Sequence, residues 1–115
     1  MKIAAISTLL FAAAAMADSD EDRCRHRKGG GHTVTAIKNF CGKTDMVVPS
    51  QYAQNGKWKN NAHAFISGNC SPAQWVPQYW CEKQFLAMCA NGPWTENAMS
   101  QRFGNNGCQT FALNK

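Results

Sequence analysis

Six cysteines, Cys24, Cys41, Cys70, Cys81, Cys89 and Cys108, limit what this chain can fold into more than any other feature. All six lie beyond an N-terminal stretch in which Lys2 precedes apolar and small residues from Ile3 to Met16, closing on Ala15-Met16-Ala17 before Asp18-Ser19-Asp20. A basic start, a short apolar run and a small-residue cleavage site together describe a secretory signal peptide. A membrane anchor needs about 20 apolar residues, and no later segment is long or apolar enough to span a bilayer. In an exported chain of 115 residues, an even number of cysteines predicts a disulfide framework. Oxidised sulfur is not a metal ligand, so neither a zinc site nor a free nucleophilic thiol is expected, and no cofactor is implied.

The stretch QYWCEKQFLAMCANG, residues 78–92, constrains how those cysteines pair. It reads as one helix from Gln78 to Ala90, with Trp80, Cys81, Phe85, Met88 and Cys89 on its apolar face and Glu82 and Lys83 outward. Asn91-Gly92-Pro93 supplies the stop. The eight residues from Cys81 to Cys89 rise about 12 Å along a helix, whereas bonded cysteines need Cα atoms within about 7 Å. These two therefore cannot bond each other, and each must reach a different element, which makes the helix the hub of the cross-links. The pairing expected is Cys24–Cys81, Cys41–Cys70 and Cys89–Cys108.

The remaining chain divides by composition. Residues 18–31 join the acidic Asp18, Asp20, Glu21 and Asp22 to Arg23, Arg25, Arg27 and Lys28, then Gly29-Gly30-Gly31. With little to bury, they read as a flexible charged arm tied down only at Cys24. Residues 32–115 read as the disulfide-stabilised domain. His32 to Phe40 alternates and is rich in β-branched residues, which predicts a strand. A shorter strand follows over Asp45–Val48, stopped by Pro49. Asn55-Gly56 signals a turn between strands around Tyr52 and Trp58, and His63–Ile66 is a further extended segment. Ser71, Pro72 and Gln74 have the form of a helix start. Thr95 is placed to cap a second helix over Glu96–Phe103, and Cys108–Leu113 reads as a final strand after the Asn106-Gly107 turn. The fold class expected is α+β, a small disulfide-stapled single domain with a short antiparallel sheet packed on one or two helices.

Eleven Lys and Arg stand against seven Asp and Glu from Asp18 onward, and against three from Arg23 onward. A basic body of this kind favours anionic partners. Lys57-Trp58-Lys59 is the most suggestive local patch, since an indole between two cations suits a base or sugar carrying phosphate or carboxylate. The groups available for acid–base chemistry are His26, His32, His63, Glu82, Glu96 and Arg102. No spacing ties them together, and no nucleophile or metal motif accompanies them, so catalysis is not expected. Asn69-Cys70-Ser71 is the chain's N-glycosylation acceptor. Occupancy at Asn69 is not expected, because Cys70 should be bonded and Ser71 should be capping a helix.

The signal peptide, six bridging cysteines, basic domain and the C-terminal segment RFGNNGCQTFALNK resemble the small cysteine-rich secreted effectors of plant-pathogenic fungi. Within those, the chain is similar to the biotrophy-associated secreted proteins. The resemblance implies a protein delivered to the host–fungus interface, in the host apoplast or host cytoplasm, and a monomer is expected. There it would act on a host protein, glycan or anionic surface by binding rather than catalysis. Two other classes stand beside it: a cationic antimicrobial or killer-type toxin, and a small secreted ribonuclease or carbohydrate-active protein.

Overall fold

A computed structural model describes residues 20–115. The expected signal peptide, residues 1–17, and the first two residues of the expected arm lie outside the described residues. The described residues are helical over 20–26 (α1), followed by α2 (Gly30–Cys41), β1 (Val47–Val48), α3 (Gln51–Asn55), β2 (Lys57–Lys59), β3 (Ala62–Gly68), β4 (Gln74–Trp75), α4 (Gln78–Asn91), β5 (Ala98–Phe103), a 3-10 turn (Asn105–Gly107) and β6 (Gln109–Asn114). Four strands form an antiparallel sheet in the order β2-β3-β6-β5, and β1 pairs with β4 in a separate two-stranded ribbon. This is the disulfide-stapled α+β domain the sequence led one to expect. Two of its principal elements are of a different kind.

Residues 32–40, expected as a strand, lie within α2. Its buried residues include Thr33, Val34, Ile37, Phe40 and Cys41, the i, i+3/i+4, i+7 spacing of one helix face. The β-branched alternation of the same residues is a weaker demand than burying that face against α4 and the sheet. Thr33 and Thr35 direct their hydroxyls to the carbonyls four residues back, at Gly29 and Gly31, which removes the polar objection to threonine in a helix. The second helix, expected over Glu96–Phe103, is strand β5. Glu96 and Asn97 both adopt positive φ, at 51° and 68°, and Thr95 and Ala98 exchange both backbone hydrogen bonds across them. That is a two-residue hairpin turn, so Thr95 starts a strand pair and caps no helix.

Smaller departures have equally local causes. Ser50 accepts a hydrogen bond from Ala53 N–H and starts the short α3 where strand around Tyr52 was expected. Ser71, Pro72 and Gln74 start no helix; Gln74–Trp75 pairs instead with Val47–Val48. By contrast α4 follows the sequence closely, and Gly92 N–H bonds the Met88 carbonyl at its end.

The core fills the space between α2, α4 and one face of the four-stranded sheet. Phe40, Phe85 and Phe111 are fully buried there, with Phe85 meeting Phe40 edge-on at 5.8 Å and Phe111 at 4.7 Å. Tyr52 stacks on Phe40 and donates its hydroxyl to the Phe40 carbonyl. From the sheet, Ala64, Ile66, Phe111 and Leu113 point inward.

The bridges are Cys24–Cys89, Cys41–Cys81 and Cys70–Cys108, so all three expected pairings are corrected. The helix is nonetheless the hub. Cys81 in its first turn reaches the end of α2, and Cys89 in its last turn reaches α1. The N-terminal segments therefore run antiparallel to α4, an arrangement that the spacing within one helix does not encode. Cys70–Cys108 instead ties the end of β3 to the start of β6, beside the Asn69 N–H to Cys108 carbonyl bond.

The arm is also more than a tether over its described part. Cys24 and Gly30 are buried, Arg27 donates to the Ala90 carbonyl at 2.9 Å, and Lys115 donates to the Lys28 carbonyl at 2.7 Å. Glu21 pairs with Lys38 of α2 at 2.8 Å and with Arg25 at 2.8 Å. Residues 20–23 carry no apolar side chain, as expected, but the ion pairs of Glu21 hold them to α2 beside the buried Cys24.

Candidate functional site

The Lys57-Trp58-Lys59 patch becomes β2, all three residues exposed. Successive side chains in a strand point to opposite faces. Trp58 lies on the outer face of the sheet, and Lys57 and Lys59 share the face of Ala62 and Ala64, where Lys57 Nζ sits 5.4 Å from the centre of the Tyr52 ring. The strand thus divides the patch between two surfaces. What Trp58 gains instead is a ladder of rings: it stacks on His63 at 3.8 Å and 4°, and His63 stacks on Phe65 at 4.6 Å. His63 Nε2–H donates to the Asn55 carbonyl at 2.8 Å, which fixes the ring under the indole.

The acid–base candidates are dispersed. His26 is on α1 and bonds the Asp22 carbonyl; His32 is on α2, its Nε2 3.4 Å from Asn60 Nδ2; His63 is on β3. Glu82 lies on α4, Glu96 in the hairpin turn and Arg102 on β5. No hydrogen bond or ion pair joins any two of these six among the described residues. No group of three or more His, Cys, Asp and Glu side chains is placed to hold a metal there either. A cationic cluster surrounds the end of the chain. Lys115 lies 4.3 Å from the centre of the Trp94 ring, and burial, with the charges of Arg27 and Lys28 nearby, holds its ammonium below the usual lysine range.

Asn69 is exposed in the loop after β3, and Cys70 is bonded as expected. Ser71, expected as a helix cap, caps no helix.

The surface that sequence reasoning missed is aromatic. Val47, Trp58, Trp75, Tyr79 and Trp80 are the large hydrophobic residues left exposed among the described residues, and four of them belong to one stretch of the fold, the β1–β4 ribbon and the first turn of α4. Val47 and Trp75 are direct partners in the ribbon. Trp75 donates Nε1–H to the Thr44 carbonyl at 2.8 Å, which pins the indole by its edge while it stays 61 % exposed. Tyr79 and Trp80 meet edge-on at 5.1 Å, and Lys83 Nζ lies 5.7 Å from the Tyr79 ring centre. Trp80, expected on the buried face of the helix, is 49 % exposed. Helix geometry explains the correction: Trp80, Gln84 and Ala87 form one stripe, while Cys81, Phe85 and Cys89 form the next, and only the second faces the core. The Trp80–Gln84–Ala87 spacing was the signal available in the sequence.

Among the described residues, no helix is long and apolar enough to cross a membrane. No protein-family model, curated protein or solved structure matches the chain.

Proposed function

We propose that this protein is a secreted cysteine-rich effector, acting at a host–pathogen interface by holding a partner rather than by turning over a substrate. The observation that carries the reading is the exposed aromatic surface of Val47, Trp75, Tyr79 and Trp80 on a covalently braced scaffold. A small domain leaves large rings in water at a cost in solubility, and contiguous exposed rings mark sites where another molecule binds. The edge hydrogen bond of Trp75 and the staples on α4 remove the entropy a floppy surface would lose on binding. Three disulfides suit an oxidising compartment, which supports export.

The test is genetic and structural together. A strain of the producing fungus lacking the gene should colonise living host tissue less well. The native gene should restore growth, whereas a version carrying Trp75→Ala, Tyr79→Ala and Trp80→Ala should be secreted and folded yet fail to restore it. Full colonisation by the deletion strain would refute the effector role. Salt-sensitive killing of microbes by the purified protein would move it to the toxin class. Turnover of RNA or glycan that disappears in His63→Ala would move it to the enzymes.

A further inference from the structure

The two flanks of the four-stranded sheet differ in what they offer. On one side β2 is three residues long and carries two lysines, a combination that discourages another strand from joining. On the other, β5 is six residues long with one charge, Arg102, and no proline. Its outward backbone groups follow from two bonds. Lys115 N–H donates to the Asn97 carbonyl, and Asn69 N–H donates to the Cys108 carbonyl. Hydrogen-bonded and non-bonded pairs alternate along an antiparallel ladder. The first bond therefore turns Met99, Gln101 and Phe103 toward β6 and turns Ala98, Ser100 and Arg102 away. The second sets the same phase in β6 from its other side, leaving Gln109, Phe111 and Leu113 to face β5. The outward groups of Ala98 are taken by Thr95. Those of Ser100 and Arg102, two N–H donors and two carbonyl acceptors, bond no other group among the described residues.

A groove runs beside this open flank, between β5 and α4. Clefts of about 510 and 530 Å³ compose it, and a third of about 310 Å³, lined by Trp75, Trp80, Gln84, Gly104 and Gln109 and by no residue of β5, continues it toward the β1–β4 ribbon. They are continuous: Met88, Gly92 and Gln101 line the first and second, and Trp80 and Gln84 line the first and third. Phe103 and Ala87 complete the apolar middle, and Lys83 stands at its rim. No carboxylate lines any of the three.

The geometry points to a docking site for an extended acidic peptide segment of a partner protein, added to the sheet as a fifth strand along β5. Resting on the binding role proposed above, it names the kind of partner. A regular row of donors and acceptors is what a second backbone matches, which favours a peptide over a sugar chain on this flank. In such a strand alternate side chains enter the α4 groove, where apolar groups meet Trp80, Met88 and Phe103. The others lie on the outer face beside Arg102, where carboxylates are favoured. The recognised sequence therefore alternates apolar and acidic residues.

Random heptapeptides displayed on phage, panned against the oxidised secreted protein, test this directly. The expected result is enrichment of apolar–acidic alternation. Binding of the best synthetic peptide should then protect β5 amides from hydrogen exchange and leave β2 unchanged. Ser100→Pro removes an N–H that β6 does not use, so the fold should survive while peptide affinity falls about tenfold or more. Arg102→Glu should keep the groove and reverse the preference toward basic peptides, which serves if the proline variant melts early. The site is refuted by enriched peptides without alternation, by equal affinity for Ser100→Pro in a folded protein, or by failure to enrich any peptide. It is also refuted if the oxidised protein pairs with itself through β5 and Ser100→Pro restores the monomer, or if cellohexaose shifts the groove resonances and no peptide does. Peptide binding without a colonisation phenotype would remove the effector reading alone. A phenotype without peptide binding would remove this site alone.

Discussion

The two sides of α4 are held by different physics. On one side Cys81 and Cys89 fix the helix covalently to α2 and α1, with Phe85 buried between them. On the other, Trp80, Gln84 and Ala87 face a groove whose far wall, β5, carries no disulfide and is held by its ladder to β6 and by Met99 and Phe103 packed on the core. One helix thus carries a closed face and an open face. In a chain this small the staples supply stability that a larger core would otherwise have to provide. Freed from that duty, the open face can leave rings in water.

The largest expected effect lies on the closed side. Replacing both Cys24 and Cys89 by serine opens a loop of 65 residues and should cost about 4 kcal/mol on a chain-entropy estimate. Removing Cys70 and Cys108 opens one of 38 residues, for which the same estimate gives about 4 kcal/mol. Location, then, should separate the two variants. Hydrogen exchange should rise first in α1 and the end of α4 when Cys24–Cys89 is lost, and first in β6 and β5 when Cys70–Cys108 is lost. Identical exchange patterns, or an unchanged melting temperature in either, would break the distinction between a braced and an unbraced side.

Gly30→Ala should follow in size. Gly30 starts α2 against the first helix so closely that a Cβ there would overlap the Cys24 carbonyl oxygen. Backbone cannot move aside as a flexible side chain does, and the disulfide at Cys24 prevents α1 from swinging away. A loss of about 3 kcal/mol is expected, read as a lowered denaturant midpoint. Gly31→Ala, with open space around it, is the control and should hold the midpoint or raise it slightly, since alanine favours a helix over glycine.

How much of this was legible depended on whether the decisive contact was local. The helix Gln78–Asn91, its stop at Gly92 and the strands around Phe65 and Phe111 follow from short-range patterns, and the sequence discloses them. Residues 32–40 satisfy a strand alternation and a helix stripe at once, and the choice was made by α4, far along the chain. Residues 95–103 turn on Glu96 and Asn97 entering the left-handed region, which asparagine tolerates and glutamate rarely signals. The bridge partners are a statement about antiparallel helix packing, which neither helix states alone. The aromatic surface is obscured for a different reason: apolarity alone points Trp80 inward, whereas its helical phase puts it with Gln84 rather than with Phe85.

That phase leads to a sharper comparison across α4. Trp80→Ala should change folding stability by no more than about 0.5 kcal/mol, because half of the ring already faces water. Phe85→Ala, one turn on but fully buried, should cost about 4 kcal/mol. Chemical denaturation of the two variants side by side measures the asymmetry. A Trp80→Ala penalty approaching that of Phe85→Ala would mean the open face is part of the core, and the groove would lose its claim as a binding surface.

The smallest effect is electrostatic and belongs to the braced side. Hydrogen bonds from Lys38 and then Arg25, with the charges of both, hold the Glu21 carboxyl below its ordinary value of 4.5. The folded protein therefore binds that proton less readily than the unfolded chain. The stabilisation is complete above pH 4.5 and disappears as the pH falls through the depressed folded value. Because all three side chains are substantially exposed, screening by water should keep the contribution near 0.5 kcal/mol, an estimate of about the usual size for a surface pair. Glu21→Gln should melt slightly below the native protein at pH 7 in low salt, and the difference should close both at pH 3 and in about 1 M salt, where the Debye length is short. A difference that persists at pH 3 would show that Glu21 holds α1 to α2 by packing. The N-terminal helix would then be braced by its contacts as well as by Cys24, and removal of the disulfide should cost correspondingly less.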